Sequence, residues 1–319
     1  MKKIIVLSAC LILAFCQSGC VYVSTGHHSD RSDRAEKKRA EKKSRSDWRP
    51  EHVIFVGFDG LCAKSIRDGA DMPTLRDLMA KGSYTLESRT ILPSSSACDW
   101  ASIFMGSGIE LHGYTTWGSK APDLEPRVVN ENGRFPDIFW QYHKKNPDAE
   151  IGYIFEWDGM DFLTDPAATD FRLNTKDCTT AAVQYIKDKK PNLCGIIFDQ
   201  PDGVGHNIGW RTPEYMAKIL ELDGALKQIM TALDEAGILK ETVVIVTSDH
   251  GGIDKGHGGM SMDEMQRPLV FFGKNVKKGY VIEESTVVYD LAATMAWLLD
   301  VEPPQVWTGR PITSPFKTK

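Results

Sequence analysis

Aspartate and histidine side chains recur in this sequence directly after apolar runs, embedded in glycine. Asp59-Gly60 closes the run 53–58, Val-Ile-Phe-Val-Gly-Phe. Asp199-Gln200-Pro201-Asp202-Gly203-Val204-Gly205-His206 follows 193–198, and Ser248-Asp249-His250-Gly251-Gly252 follows 242–247. Gly256-His257-Gly258-Gly259 comes shortly after. Carboxylates and imidazoles are the usual protein ligands of zinc and related divalent ions. Asp202 and His206, four residues apart, project from one side of a helical turn. A lone aspartate after a strand is ordinarily a cap or turn residue, and an isolated Asp-His pair ordinarily a core hydrogen bond. Packing does not explain the combination of Asp59, Asp202, Asp249, His206, His250 and His257, set among glycines that permit close backbone approach. Six such ligands are more than one catalytic zinc takes, and they suit two ions of about three ligands each. That arrangement serves in-line displacement at phosphorus.

A hydroxyl group is the second candidate. Ser94-Ser95-Ser96 runs into an apolar helical pattern over 97–105, closed by Gly106-Ser107-Gly108. A hydroxyl at a helix N-terminus lies beside free backbone N–H groups that can hold phosphate oxygens. A neighbouring metal would lower its pKa and make it nucleophilic. At least one of the three serines is expected simply to cap the helix, with Ser94 or Ser95 best placed, and the residues alone leave the nucleophile open.

These groups need elements to position them. Continuous apolar runs at 53–58, 151–155, 193–198, 242–247 and 269–272 read as buried strands. Helical patterns at 135–145, 179–189, 213–236 and 289–299 alternate with them; in the longest, Pro213 stands near the first turn and Gly237 past the end. The order implies an α/β three-layer sandwich, a largely parallel central sheet with helices on both faces. Ligands of such sheets bind beyond the carboxyl ends of the strands, where the groups above are found. The 319 residues accommodate one catalytic domain at 51–319, and a net charge of −5 argues against a nucleic-acid polymer as partner. Cys62, Cys98, Cys178 and Cys194 fit no zinc-ribbon spacing and read as small buried thiols.

The N-terminus is a different material. Lys2 and Lys3 precede an apolar run at 4–15 that is short for a membrane span, ending in Gln17-Ser18-Gly19-Cys20. This resembles a bacterial lipoprotein signal at 1–20, with Gln17 where an aliphatic residue is usual, and implies acylation of Cys20. Residues 21–50, rich in charge and serine, read as a flexible linker, His27-His28 included. The expected location is outside the cytoplasm, membrane-anchored and facing the periplasm or cell surface.

In the order and spacing of these motifs the sequence resembles the alkaline phosphatase superfamily, and within it the type I phosphodiesterase and nucleotide pyrophosphatase family. The matching pieces are Gly57-Phe58-Asp59-Gly60, the serine block ending Met105-Gly106, Pro201-Asp202-Gly203-Val204-Gly205-His206, Ser248-Asp249-His250-Gly251, Gly256-His257-Gly258, and the tail Asp290 to Met295 with Gly309-Arg310-Pro311. The resemblance implies two divalent metals, zinc favoured: Asp59, Asp249 and His250 would hold one together with the nucleophile, and Asp202, His206 and His257 the other. Counted back from Met105-Gly106, the nucleophile falls on Ser96. It implies hydrolysis of a small-molecule phosphate ester, a diester rather than a monoester, through a Ser96 phospho-enzyme. Where the family often has an Asn that donates to a phosphate oxygen, this chain has Asp99, a substrate-binding position at which an ionised carboxylate donates nothing. Asp99 would then be protonated, turned away, replaced by backbone, or accepting from a substrate hydroxyl. Lys120, Arg127, Arg211 and Lys255 are candidates for an extra phosphate-binding cation, and Trp117, Trp157 and Trp210 for stacking on a base or sugar. A sulfatase is the nearest alternative, but Cys98-Asp99-Trp100-Ala101-Ser102 lacks the Pro and Arg of the Cys/Ser-x-Pro-x-Arg setting. A catalytically inactive metal-binding module is the other.

Overall fold

The computed structural model describes residues 48–317. The signal at 1–20, Cys20, His27-His28 and most of the 21–50 linker lie outside the described residues. The elements in chain order are β1 (His52–Phe58), α1 (Ala63–Arg67), α2 (Pro73–Lys81), β2 (Ser83–Arg89), α3 (Ser96–Met105), α4 (Ile109–His112), α5 (Ile138–Lys145) and β3 (Ile151–Phe155). Then follow β4 (Phe171–Asn174), α6 (Cys178–Lys189), β5 (Leu193–Phe198), α7 (Asp202–Asn207), α8 (Pro213–Glu235), β6 (Thr242–Thr247), α9 (Met262–Met265), β7 (Gln266–Gly273), β8 (Tyr280–Val281) and α10 (Asp290–Leu298).

Eight strands form one sheet in the order β4-β3-β5-β1-β6-β7-β2-β8. Only β7 runs against its neighbours, β6 and β2, so the sheet is largely parallel as expected. β1 sits between β5 and β6, and its last residues pair with theirs, Phe58 with Phe198 and Gly57 with Thr247. This register delivers Asp59, Asp199 and Ser248-Asp249 to one edge of the sheet, each directly after its strand.

Alternation along β1 builds two cores. Val53 and Phe55 face one layer with Trp100, Phe104, Phe139, Leu291 and Met295, from α3, α5 and α10. Ile54, Val56 and Phe58 face the other with Leu75, Ile186, Tyr215, Leu226 and Ile229, from α2, α6 and α8. Every residue of β1, β5 and β6 is buried, which explains why those strands read as unbroken apolar runs rather than alternating ones. The α8 helix starts as its sequence indicates, with Thr212 capping Tyr215 N and Pro213 at the first position, and Gly237 past its end takes φ +74°. The packed body already includes Trp48, whose ring lies 4.6 Å from that of Trp297. Among the described residues, Cys62, Cys98, Cys178 and Cys194 are buried and free.

The loop that leads into α5 contains a buried acid. Asp137 is 0% exposed and accepts from Trp140 N at 3.0 Å and Asp165 N at 2.8 Å. Burial, only partly offset by these donors, raises its pKa from 3.8 to about 7. The folded state therefore binds this proton more tightly than the unfolded chain, and the associated stability is present below pH 3.8 and lost as pH rises to about 7. Urea denaturation of the native protein and Asp137→Asn at a series of pH values is expected to show their stability difference shifting against the native protein across that window, by up to a few kcal/mol at about 1.4 kcal/mol per unit, and constant above it. A difference independent of pH would refute the assignment.

Candidate active site

Two groups of ligand-type atoms stand at the carboxyl edge of β1, β5 and β6. Asp59, Asp249 and His250 form one, and Asp202, His206 and His257 the other; within each, one atom per residue lies within 4.8 Å of the others. These are the two sets that the family resemblance implied. Asp59 ends β1, Asp249-His250 ends β6, and Asp202 opens α7, one turn before His206. His257 comes from the glycine-rich loop after β6. Gly60, at φ +69°, allows these pieces to meet: a Cβ there would lie 2.9 Å from the Cα of Asp202.

Hydrogen bonds fix the direction of five of the six candidate ligands, all but Asp202. The Nδ1 atoms of His250, His257 and His206 face backbone carbonyls of Gly251 (2.8 Å), Ser94 (2.7 Å) and Lys255 (3.0 Å). A carbonyl only accepts, so each Nδ1 carries the proton and each neutral ring presents its Nε2 lone pair to the cluster. Burial lowers the pKa of His250 to about 4 and of His257 to about 3, which keeps those rings neutral near pH 7. The carboxylates are divided in the same way. Asp59 Oδ2 accepts from Trp100 Nε1 at 2.9 Å, and Asp249 Oδ1 from Gly60 N at 3.1 Å. Their other oxygens, Asp59 Oδ1 and Asp249 Oδ2, and Asp202 Oδ1, are buried with no hydrogen-bond partner.

The unpartnered atoms face one another. His250 Nε2 lies 3.5 Å from Asp59 Oδ1 and 3.2 Å from Asp249 Oδ2; His257 Nε2 lies 3.7 Å from Asp202 Oδ1 and 3.0 Å from His206 Nε2. Lone pairs opposed at such distances repel unless a cation lies among them. Burial first, then mutual repulsion, holds the Asp59 and Asp202 carboxyls well above the usual range, and burial takes Asp249 to about 6. Orphaned buried oxygens, carbonyl-locked imidazoles and opposed lone pairs fit two divalent ions, with three side chains available for each.

The serine run is resolved by position. Ser96 opens α3, and its Oγ lies 3.2 Å from His250 Nε2. Ser94 points elsewhere: its Oγ donates to Gly259 O at 2.9 Å and accepts from Gly258 N at 3.0 Å, pinning the loop that carries His257. Ser95 holds the N-cap position without a side-chain cap bond. Asp99 is 0% exposed and does not reach the cavity. Its Oδ2 accepts from Ser95 N at 2.7 Å and its Oδ1 from Ile91 N at 3.4 Å, beneath the serine loop. The carboxyl is turned away from the cavity toward these backbone donors, and burial holds its pKa well above the usual range.

A cavity of about 500 Å³ opens over both groups, lined by Asp59, Ser95, Ser96, Trp117, Trp157, Asp199, Asp202, Gly203, His206 and His257. Trp117 is 68% exposed at its rim, and Trp157 forms wall. Trp210 is instead packed behind His206 and His257, with its Nε1 on Gly60 O. None of Lys120, Arg127, Arg211 or Lys255 lines the cavity; Lys120 pairs with Asp158, Arg211 with Asp263, and Lys255 donates to Asn207 O. Two residues went unforeseen. Asp199 on the wall was legible as the residue directly after β5. Trp100, which orients Asp59, had no local signal, since its partner lies 41 residues away. A larger cavity of about 670 Å³, bordered by Gln141, Lys145, Trp297 and Glu302, lies elsewhere and includes none of these ligands.

The chain is similar to several known proteins. GPI ethanolamine phosphate transferase 3 of Schizosaccharomyces pombe is 33% identical over 137 residues, 41% of this chain and 14% of that protein. Arylsulfatase K of Xenopus laevis is 36% identical over 100 residues, 30% of this chain and 19% of that protein. The structure of murine ectonucleotide pyrophosphatase / phosphodiesterase 5 in complex with AMP superposes with a TM-score of 0.67 at 15% identity, covering 79% of this chain and 96% of that one. The chain spans less than half the length of the curated relatives it matches. The family description type I phosphodiesterase / nucleotide pyrophosphatase matches residues 53–268, more than half of the chain. The chain belongs to that family, within the alkaline phosphatase superfamily.

Proposed function

We propose that this protein is an exported, metal-dependent hydrolase of small phosphodiesters that works through a covalent Ser96 phosphate ester, and that a lipid at Cys20 tethers it to a membrane. The observation that carries the catalytic part is the approach of Ser96 Oγ to 3.2 Å from His250 Nε2, beside two clusters of ligand-type atoms that include three unpartnered carboxylate oxygens, under one cavity. Asp59, Asp249 and His250 would hold one ion and Asp202, His206 and His257 the other, zinc being the ion that mixed carboxylate–imidazole sets favour. When bound, two such ions supply charge neutralisation at phosphate oxygens and favour the ionised form of a nearby hydroxyl or water.

The chain's own residues account for the rest. Asp59 and Asp249 are held by Trp100 and Gly60, so the ligand oxygens need little reorganisation when substrate arrives. Ser96 Oγ forms a bond to phosphorus as the alcohol departs, and water then cleaves the serine ester. Two inversions give net retention at phosphorus. Trp117 and Trp157 offer aromatic surface to the leaving group, in keeping with a relative crystallised with AMP. No Lys or Arg lines the cavity and Asp199 does, which favours the single negative charge of a diester over a dianionic monoester. A sulfatase reading has a relative in its favour. However, Cys98, where a formylglycine precursor is sought, is 0% exposed, does not line the cavity and has its thiol pushed up to about 12.

With zinc-loaded protein, bis(p-nitrophenyl) phosphate is expected to turn over at least about tenfold faster than p-nitrophenyl phosphate or p-nitrophenyl sulfate. Ser96→Ala is expected to lower turnover by on the order of 10³-fold or more with its metal retained. Unchanged turnover in that variant removes Ser96 as nucleophile. Elemental analysis is expected to find two divalent ions per chain. Chelation should abolish activity and lower the melting temperature, each ion at 1,000-fold excess over its Kd adding about 4 kcal/mol; full activity in a metal-free protein would end this reading.

A further inference from the structure

The three serine hydroxyls at the start of α3 have unequal fates. Ser94 Oγ donates to Gly259 O and accepts from Gly258 N, and Ser96 Oγ stands 3.2 Å from His250 Nε2. Ser95 Oγ has no hydrogen-bond partner among the described residues, and the N-cap position that Ser95 occupies carries no side-chain cap bond. Yet Ser95 is 7% exposed and lines the cavity. A buried hydroxyl ordinarily finds a partner, because leaving its bond unmade is costly. An N-cap serine ordinarily finds one in its own helix. Ser95 has neither, at the wall of a cavity built around buried, unpartnered carboxylate oxygens.

The neighbouring backbone donors narrow what meets an anion here. Asp99 Oδ2 takes the N–H of Ser95 at 2.7 Å, and Trp117 O takes that of Ala97 at 3.3 Å. Both donors are spent within the protein. The second bond also fastens the Trp117 segment to the helix start, so this aromatic wall and Ser95 border one cavity. The N–H of Ser96 is the first of the helix and meets no acceptor among the described residues. A free hydroxyl and a free amide therefore stand on consecutive residues, at the positive end of a helix of 10 residues.

We infer that Ser95 binds the substrate: its hydroxyl donates to a non-bridging oxygen of the phosphate ester, beside the N–H of Ser96. The inference rests on the phosphodiester reading above and adds to it the side chain that meets the anion. Donation to an anionic oxygen is about twice as strong as donation between neutral groups. A hydroxyl brings no charge, which suits a singly charged ester in a cavity that no Lys or Arg lines. Ser95 makes no hydrogen bond to any of the six ligand side chains, whereas Ser96 Oγ reaches His250. Ser95 is thus a donor and Ser96 the nucleophile. A donor already in place where negative charge gathers at phosphorus favours the transition state as well as the bound ester.

Ser95→Ala and Ser95→Thr, in the zinc-loaded full chain, test the assignment with bis(p-nitrophenyl) phosphate and orthovanadate as probes. In Ser95→Ala, kcat/KM is expected to fall on the order of 10²-fold. The Kd for vanadate, read by calorimetry, is expected to rise at least about tenfold. Metal content and melting temperature should stay native, since no cap bond is lost. Ser95→Thr keeps the hydroxyl on a backbone, φ −153° and ψ 137°, that a β-branched residue adopts readily. It is expected to stay within about tenfold of the native kcat/KM. Native kcat/KM and vanadate affinity in Ser95→Ala overturn the assignment. So does an equal loss in Ser95→Thr, which would show that the site reads shape rather than the donor. A lower melting temperature with native vanadate affinity would make Ser95 a structural cap and overturn it too. Inactivity of the wild-type protein on diesters would instead refute the proposed function, and the vanadate affinities would still decide the role of Ser95.

Discussion

Unpartnered lone pairs, gathered at one edge of the sheet, are the constraint on which this architecture depends. Within each ligand group the atoms lie within 4.8 Å of one another. At that separation two carboxylates repel by roughly 3–4 kcal/mol at an effective dielectric of 20. Asp59 and Asp249 are 3% and 0% exposed, so water does not relieve the repulsion. A chain selected only for stability would place hydrocarbon here. Instead the central strands β1, β5 and β6, the most deeply buried of the sheet, end together in carboxylates and imidazoles. The surrounding structure holds those side chains in a geometry that a bound cation or a shared proton would make favourable.

What holds them is a shell of directed donors and acceptors. Trp100 reaches from α3 to Asp59, and its ring passes where a side chain on Gly57 would stand: a Cβ there would lie 2.4 Å from the ring. Ser248 accepts from Leu61 N and donates to the carbonyl of His250, tying the ends of β1 and β6 together. Glu264 accepts from Gly259 N and closes a capping box with Ser261, which fixes the far side of the His257 loop. The three consecutive serines divide their work. Ser94 anchors that same loop, Ser95 occupies the helix cap and lines the cavity, and Ser96 faces His250. The contacts of Trp100 with Asp59, of Leu61 with Ser248 and of Ser94 with Gly259 join segments distant in sequence, while the Ser261–Glu264 box is local.

This division explains what could be read from the sequence. The strands β1, β3, β5 and β6 were legible because full burial leaves them almost wholly apolar, with polar residues only at the ends of β1 and β6. The ligands were legible because Asp and His directly after such strands have no packing reason to be there. The strands β2 and β4 carry Glu87 and Arg89, and Arg172 and Asn174, at exposed or partly exposed positions, and nothing local distinguishes them from loop. β7 begins at Gln266 rather than at the apolar 269–272 core, because its first residues pair with β2. Asp99 was legible as an anomaly but not in direction. A carboxylate three residues into a helix can turn to substrate or to the preceding backbone, and here the N–H groups of Ser95 and Ile91 draw it to the backbone. Motif spacing identifies the groups that meet a ligand; it is silent on the charges that keep them in place.

Charge balance connects these observations to the choice of substrate. Two divalent cations would balance Asp59, Asp202 and Asp249 with one positive charge remaining. Asp199 on the cavity wall opposes that remainder, and its partner Lys176, at 3.6 Å, is 79% exposed where solvent screens it. Arg267 is engaged beneath β6 with the carbonyl of Ser248 and the hydroxyl of Thr247, and does not line the cavity. A site so close to neutrality can accept a singly charged phosphodiester, the remaining polarity being met by backbone N–H groups at the start of α3. A dianionic monoester would require a further cation, and the wall presents Trp117 and Trp157 in its place. Substrate preference on this scaffold thus follows from which charges the fold buries beneath the site and which it leaves out of the cavity.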